Sequence, residues 1–193
     1  TGDATFLQGL REWNAAQQRE GVSGYLVPIH FLDRVVSGAL VFARSRKAAA
    51  RLNAQMQNRQ ISKQYVAWVE GEVEDDQPVT LENYLRKDRK DNVTSVVRRE
   101  VEGAKHCRLT FACTHRQANR SLLLVKPETG RSHQIRVQLA AAGLPIAGDK
   151  KYGARSKLSG WIALHSHQLE FSHPTTGELV SVQAPIPESW RDL

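Results

Sequence analysis

The sequence predicts an α+β fold in which strands outnumber helices. Strand-length apolar segments recur along the chain, few segments have helical spacing, and the two kinds do not alternate regularly as they do in parallel α/β folds. A chain of 193 residues is long enough for one sizeable domain with its own core. We therefore expect residues 1–193 to form a single domain.

The first part of the chain contains two predicted helices among short extended segments. Apolar residues at helical spacing predict a helix over residues 5–18, and Ser45 is a suitable N-cap for a second helix that ends near Asn58. Alternating side chains predict a strand over residues 62–70, with Tyr65 on one of its faces. Shorter extended segments are expected at residues 25–29 and 38–43, with a polar loop at 30–37 and an acidic turn at 72–76.

The rest of the chain is predicted to be mostly strands around one helix. Residues 79–101 carry many charges and few apolar side chains, so we expect a surface loop with short strands there. A hairpin is predicted from residues 106–114 and 121–127. An amphipathic helix is predicted over residues 133–142, because Gly143 is a typical residue just past a helix C-terminus. Further strands are predicted at residues 161–166, 168–172 and 179–184.

Composition and charge exclude several classes of protein. Apolar residues in every region exclude intrinsic disorder, and no apolar run approaches the roughly 20 residues of a membrane helix. The first ten residues lack a secretory signal, so a cytoplasmic bacterial protein is the default expectation and a mitochondrial one is the alternative. The 27 Lys and Arg residues exceed the 20 Asp and Glu residues. Each basic cluster alone is typical of a solvated face, but together they are compatible with a phosphate-binding surface.

Metal and serine-hydrolase chemistry have little support in the sequence. His165 and His167 point the same way on a predicted strand, but no nearby carboxylates or cysteines complete a tetrahedral set. Cys107 and Cys113 lack the close spacing of a zinc site and are interpreted as packing residues. No Gly-x-Ser-x-Gly turn follows a predicted strand, so a serine hydrolase is set aside.

Two segments carry residue types suited to chemistry on an anionic substrate. Asp33 lies in the polar loop, where a partly desolvated carboxylate near an arginine can serve as nucleophile or base. On composition alone, an Asp33 that caps a turn and pairs with Arg34 is the simpler interpretation. Within residues 126–136, a glycine turn leads into a helix start that carries Arg131 and Arg136, and these donors suit anionic groups. A basic helix start without a function is an equal alternative for that segment.

Four segments of the chain match, in order, the motifs of one known family. Residues 30–38 read His-Phe-Leu-Asp-Arg-Val-Val-Ser-Gly, and the other matches lie at residues 63–71, at 127–136 with 143–153, and at 164–165 with 171–174. In this order and spacing they resemble the motifs of the RluA-type pseudouridine synthases, whose first motif is His-Arg-Leu-Asp-x-x-Thr-Ser-Gly. The resemblance covers the chain from about Val27 onward.

The resemblance implies a pseudouridine synthase fold, with a mixed, mostly antiparallel central sheet in two halves around a basic cleft, flanked by helices. It implies that a flipped-out uridine in ribosomal or transfer RNA is isomerised by a monomer without cofactor or metal. By resemblance, Asp33 is the catalytic carboxylate that promotes cleavage of the glycosidic bond. Tyr65 is the ring that stacks on the target base and is positioned for its C5 proton, and Arg136 pairs with Asp33. The candidate RNA-binding residues are Phe31, Arg34, Lys63, Lys126, Arg131 and His133.

Two positions depart from the family's pattern and leave alternatives open. Phe31 stands where the family has an arginine, and Val36 stands where it has a threonine. A stacking Phe31 would change substrate choice more than bond chemistry. The family's Lys-Pro-x-Gly segment before the first helix is missing, so we expect a chain that is N-terminally short. The alternatives are a catalytically silent RNA-binding module of the same fold and a general RNA chaperone, and we expect residues 79–101 to decide the RNA target.

Overall fold

A computed structural model describes residues 6–16, 25–75, 77–190 and 193 of the protein. One mixed sheet forms its centre. The strands are β1 (Val27–Pro28), β2 (Ser37–Gly38), β3 (Phe42–Ala43), β4 (Ser62–Glu70), β5 (Val79–Asp88), β6 (Val93–Val97), β7 (Lys105–Gln117), β8 (Arg120–Pro127), β9 (Leu164–Ser172) and β10 (Leu179–Gln183). The α-helices are α1 (Phe6–Ala16), α2 (Arg46–Gln57) and α3 (Gln134–Ala141), and 3₁₀ turns cover Lys150–Tyr152 and Glu188–Trp190.

The predicted α+β fold with a mixed, mostly antiparallel sheet is confirmed. Eight strands form the sheet in the order β10-β9-β4-β8-β7-β5-β6, and β2 pairs with β9 off this path. The β2–β9 pairing is parallel, and the other strand pairs of this sheet are antiparallel. Hydrogen bonding continues through β4 and β8, so the two halves share one sheet. Strands β1 and β3 form a separate two-stranded sheet.

The main core covers both faces of the central strand β4. Tyr65 to Val69 are buried without interruption, which is the pattern of a strand covered on both sides rather than on one. Helix α2 forms a second cluster, in which Ala49 and Leu52 pack with Ile61 and Leu169. The Ser45 side chain accepts a hydrogen bond from the Ala48 N–H (3.1 Å), as predicted for the N-cap of α2.

Residues 79–101 contain the predicted strands near the surface, but most of the segment is strand rather than the expected loop. Strands β5 and β6 form a hairpin at the edge of the sheet, here called the edge hairpin, and β5 pairs with β7 from Val79 to Leu85. Leu85 and Thr94 are buried, whereas most of their neighbours in the hairpin are not. Because one face of an edge strand meets solvent, such a strand needs few apolar residues.

Helix α3 differs from its prediction in burial and in its start. It begins at Gln134, and all of Gln134 to Leu139 is buried, so the expected amphipathic pattern is wrong. The two strands predicted at 161–166 and 168–172 are one strand, β9. The predicted hairpin is confirmed but longer, because β7 and β8 leave only a two-residue turn between Gln117 and Arg120. Residues 5, 17 and 18 of the first predicted helix lie outside the described residues.

Candidate active site

The loop that carries Asp33 is fastened by contacts made directly after this residue. The Asp33 carbonyl accepts the Val36 N–H (2.9 Å), and the Val35 carbonyl accepts the Ile162 N–H (3.1 Å). Beyond the turn, Ser37 pairs with β9 and its hydroxyl lies 2.7 Å from Nδ1 of His165. These bonds set the direction of the Asp33 side chain, which is 28% exposed.

Gly38 explains why this loop ends in Ser-Gly. Its φ of +121° is disfavoured for other residues, and a Cβ atom there would collide with the backbone of Ser166 on β9. The close approach lets β2 pair with β9, so the end of the Asp33 loop is held by backbone hydrogen bonds.

A buried glutamine shapes the turn that leads into helix α3. The Oε1 atom of Gln134 accepts the Thr129 hydroxyl (2.8 Å) and the Arg131 N–H (3.0 Å). Its Nε2 atom donates to the carbonyl of Arg108 on β7 (3.1 Å). The segment between β8 and α3 is therefore tied to the sheet, and Arg136 projects from the first turn of the helix toward the Asp33 loop.

Arg136 binds two carboxylates from different parts of the chain. Its Nη1 atom lies 2.8 Å from Oδ2 of Asp33. Its Nε and Nη2 atoms make a bidentate pair with Asp149, at 2.6 and 2.8 Å. Burial lowers the pKa of Arg136, but the bonds to Asp149 and Asp33 outweigh it and raise the pKa above its ordinary value. The guanidinium is therefore a fixed positive charge beside Asp33.

Tyr152 and His133 form a second layer around this ion pair. The Tyr152 ring lies beneath the guanidinium, with Cζ of Arg136 5.0 Å from the ring centroid. The Tyr152 hydroxyl accepts the Thr94 N–H (3.0 Å) and lies 2.6 Å from Nδ1 of His133. Nε2 of His133 faces Oδ1 of Asp33 at 3.8 Å. Burial lowers the pKa of His133, which favours its neutral imidazole.

Tyr65 lies beside an irregularity in the sheet. Gln64 of β4 pairs with Gln168 of β9, but the next residue along β4, Tyr65, pairs with Ser166, so one residue of β9 is left over as a bulge. Bulges next to active sites re-aim side chains. Tyr65 is 8% exposed and lines the same cleft as Asp33, and burial raises its pKa to about 12.

Two clefts meet at Asp33, and together they contain every predicted site residue. The first has a volume of about 1060 Å³ and the second about 540 Å³. Asp33, His133 and Arg136 line both of them. The predicted residues that line only the first cleft are Phe31, Lys63, Tyr65, Lys126 and Arg131, while Arg34 lines the second.

The predicted RNA-binding residues differ in how they reach the clefts. Phe31 is 80% exposed, and Lys126 is exposed as well. Arg131 is also exposed, and its Nε atom donates to the carbonyl of His106 (3.0 Å). Lys63 is half-buried, and burial lowers its pKa. Basic and aromatic groups thus stand around the first cleft at different depths.

Sequence reasoning missed Asp149 and Tyr152 as site residues. Both lie in the matching segment 143–153, but nothing in their local pattern shows that they reach Arg136 and His133. It also missed Lys87 and Lys151, which line the second cleft. Lys151 donates to the Asn92 carbonyl (3.0 Å) and so fastens the edge hairpin to the site.

His30 is a buried residue of the cleft wall that sequence reasoning did not single out. It is 8% exposed, and neither ring nitrogen has a hydrogen-bond partner among the described residues. Burial, with a smaller effect of Lys63, lowers the pKa of His30 to about 4.

The described part of the chain holds no group of three or more His, Cys, Asp or Glu residues that could bind a metal ion. None of the described helices is long and apolar enough to cross a membrane.

Comparison with known proteins identifies the family. The family described as RNA pseudouridylate synthase matches residues 5–141. The uncharacterized RNA pseudouridine synthase YlyB of Bacillus subtilis is 35% identical over 176 residues, which are 90% of this chain and 57% of that protein. Ribosomal large subunit pseudouridine synthase C of Escherichia coli K12 is 36% identical over 177 residues, 85% of this chain and 54% of that protein. The chain thus spans about half the length of these relatives.

Solved structures agree with this result. Human RNA Pseudouridylate Synthase Domain Containing 1 superposes with a TM-score of 0.73 at 27% identity, covering 83% of this chain and 69% of that one. Human RNA Pseudouridylate Synthase Domain Containing 4, at 22% identity and a TM-score of 0.71, supports the fold. The family match, the two bacterial relatives and the shared fold lead to one conclusion: the chain belongs to the RNA pseudouridylate synthase family.

Proposed function

We propose that this protein isomerises uridine to pseudouridine in RNA, with Asp33 as the catalytic carboxylate. The observation that carries the proposal is the arrangement of charges at the cleft. Asp33 reaches the cleft from a fastened loop, and Arg136 binds one of its oxygens while Asp149 holds the guanidinium from the buried side. Family membership supplies the reaction class.

The reaction needs no external oxidant, reductant or group donor. The bond between uracil N1 and ribose C1′ breaks, the base turns, and a bond forms between C5 and C1′. C5 loses a proton and N1 gains one, so substrate and product have the same composition. Asp33 promotes the first step, either by attack on C1′ or by assisting departure of the base. Arg136 orients the carboxylate toward the sugar, because a guanidinium in a fixed plane sets direction as well as charge.

Tyr65 suits the role of a ring against the target base. It lies beside the bulge at the wall of the first cleft, in reach of Asp33 through the same space. With a pKa raised to about 12, its hydroxyl is protonated at neutral pH. Tyr65 therefore starts the reaction as a neutral stacking ring. It takes the C5 proton only as its own hydroxyl proton passes to another acceptor, and N1 of the turned base, which gains a proton in the reaction, is such an acceptor.

Phe31 is proposed to stand in the RNA stack when the uridine leaves it. A uridine inside a stem exposes neither C1′ nor C5, so it must be flipped out, and the hole in the stack costs a few kcal/mol. An aromatic side chain that is 80% exposed two residues before Asp33 can stack on the neighbouring bases in its place. The side chains proposed to contact the RNA backbone are Arg34, Lys63, Lys126 and Arg131. His133, the other predicted RNA-binding residue, is 7% exposed and faces Asp33, so we propose that it acts on the Asp33 loop instead.

Ribosomal RNA is the substrate that we propose to test first. Ribosomal large subunit pseudouridine synthase C, named for that RNA, is 36% identical to this chain. Transfer RNA is the second substrate to test. The edge hairpin is proposed to decide the target, since it borders the second cleft through Lys87 and Asn92.

The test is release of tritium from C5-labelled uridine in total RNA from cells that lack this protein, with the wild type compared with Asp33→Asn. The proposal predicts release by the wild type alone, with equal RNA binding by both. Salt-sensitive RNA binding without release from either protein would favour the silent RNA-binding module. The departures from the family's motif at Phe31 and Val36 support this alternative. Annealing activity without release would favour the RNA chaperone.

A further inference from the structure

The hydrogen bonds of Tyr152 favour one position for the proton of the neutral His133 ring. The Tyr152 hydroxyl oxygen accepts the Thr94 backbone N–H (3.0 Å), and a backbone N–H can only donate. The hydroxyl's own proton is then available for Nδ1 of His133, 2.6 Å away. In a neutral imidazole that accepts at Nδ1, the proton sits on Nε2.

The surroundings of the other nitrogen favour the same tautomer. Nε2 of His133 faces Oδ1 of Asp33 at 3.8 Å, the carboxylate oxygen that Arg136 does not bind. A lone pair at Nε2 would repel this oxygen, whereas an N–H there attracts it. The separation is longer than a hydrogen bond, so a small movement of the Asp33 side chain would complete the contact.

The backbone of His133 is held in a conformation that costs free energy. Its φ is +53° and its ψ is +21°, in the left-handed region that residues with a Cβ atom seldom adopt. Such conformations persist where the surrounding structure fixes them, and they cluster at functional sites. Here the conformation brings a side chain that is 7% exposed between Tyr152 and Asp33.

We propose that Tyr152 is a positioning residue for the reaction, whose hydroxyl holds His133 with its Nε2–H directed at Oδ1 of Asp33. Arg136 and His133 then orient the two oxygens of the carboxylate separately. The Thr94 N–H lies on β6, so the edge hairpin is joined to the catalytic centre through Tyr152. This inference rests on the proposed function for its effect on rate, but the tautomer can be measured without any activity.

Tyr152→Phe separates the two contacts of this residue. It keeps the ring beneath Arg136 and removes only the hydroxyl, so the guanidinium keeps its packing. Tyr25→Phe is the matched control, because Tyr25 packs against the cluster of helix α2 and lines neither cleft. The variants are compared by melting temperature, by RNA affinity, by the single-turnover rate of tritium release, and by the ¹⁵N chemical shifts of the His133 ring.

The expected result for Tyr152→Phe is a single-turnover rate that falls about tenfold while RNA affinity stays within about twofold. The ¹⁵N shifts should move from the Nε2–H tautomer to a mixture, and Tyr25→Phe should match the wild type. In a His133→Gln background, an amide replaces the ring donor, so Tyr152→Phe should cause little further loss. If Tyr152→Phe alone is unstable, the ¹⁵N shifts of the His133 ring in the wild type decide the hydrogen-bond assignment, since an Nδ1–H tautomer there would contradict it.

Three results would overturn the inference. They are an unchanged rate in Tyr152→Phe, a lowered rate without any change of the His133 tautomer, and a full further loss in the His133→Gln background. Failure of the proposed function looks different, because the wild type itself would then release no tritium. In that case an Nδ1–H tautomer in the wild type would still contradict the hydrogen-bond assignment, and an Nε2–H tautomer would uphold it.

Discussion

The two sides of Arg136 show how one guanidinium serves two different regions of the molecule. On the buried side, Asp149 is 2% exposed and commits both oxygens to Arg136. On the cleft side, Asp33 is 28% exposed and commits one oxygen, at 2.8 Å. Asp149 therefore holds Arg136 from the buried side with both of its oxygens, whereas Asp33 uses one oxygen on Arg136 and reaches the cleft. Burial and the number of hydrogen bonds to Arg136, rather than residue type, therefore distinguish the two aspartates.

The largest effect is expected on the buried side of Arg136. Asp149→Asn removes the charge that compensates the guanidinium, and breaking a buried ion pair costs about 3–5 kcal/mol. We expect the free energy of unfolding to fall by about this amount in urea denaturation. Tritium release should fall too, because Arg136 loses its orientation. A variant as stable as the wild type would contradict the anchoring role.

A second buried group makes stability depend on pH. The unfolded chain binds a proton on His30 near its ordinary pKa of 6.5, whereas the folded chain resists protonation until about pH 4. Protonation of His30 thus favours the unfolded state. The free energy of unfolding is therefore at its full value above pH 6.5 and decreases as the pH falls from 6.5 to 4. The loss is about 3 kcal/mol.

His30→Leu should remove most of this pH dependence. Because neither ring nitrogen has a hydrogen-bond partner among the described residues, the substitution should leave stability at pH 7 equal or higher. Burial also lowers the pKa of His133 and His165, so a weaker slope of the same sign should remain. Urea denaturation from pH 7 to pH 4 measures both slopes, and equal slopes would contradict the assignment to His30.

On the cleft side, Tyr65→Phe tests the role proposed for the Tyr65 hydroxyl. The ring that stacks on the base remains, and only the hydroxyl that takes part in proton transfer is lost. General acid–base groups contribute roughly 10²–10⁴-fold, so we expect tritium release to slow by about 10²-fold with RNA affinity unchanged. An equal loss of affinity would show that Tyr65 acts in binding instead.

The smallest effect is expected at the exposed rim of the first cleft. Lys126→Ala should weaken RNA binding a few-fold and lower the slope of log affinity against log salt by about one, because one phosphate contact is lost. Lys47→Ala is the control, since Lys47 is an exposed lysine of helix α2 outside both clefts. Equal effects of the two variants would assign RNA binding to overall charge rather than to the cleft.

The sequence predicted the residues that face the cleft better than the residues that hold them in place. Asp33 and Arg136 stand in recognisable motifs, and the structure brings them within 2.8 Å across 103 positions of the chain. Asp149 and Tyr152 were not assigned roles, because their functions arise from contacts made only after folding. The bulge of β9 beside Tyr65 depends on the register between distant strands, which no local pattern encodes.

The fold was predictable where burial leaves a clear period. Helix α2 has one apolar face and a side-chain cap at Ser45, and both were predicted. Helix α3 is buried all round and the edge hairpin is mostly exposed, so neither shows the pattern of its class in the sequence. Tertiary contacts decide such segments, and the charge-rich edge hairpin is held by its pairing with β7.

The roles of the two aspartates are tested together by measuring tritium release and the free energy of unfolding for Asp33→Asn and for Asp149→Asn. If Asp33 is the catalytic carboxylate that we propose, Asp33→Asn should release no detectable tritium, and its free energy of unfolding should change by less than about 1 kcal/mol, as for a partly exposed ion pair. Retained release by Asp33→Asn, or a loss of stability as large as that of Asp149→Asn, would contradict this prediction.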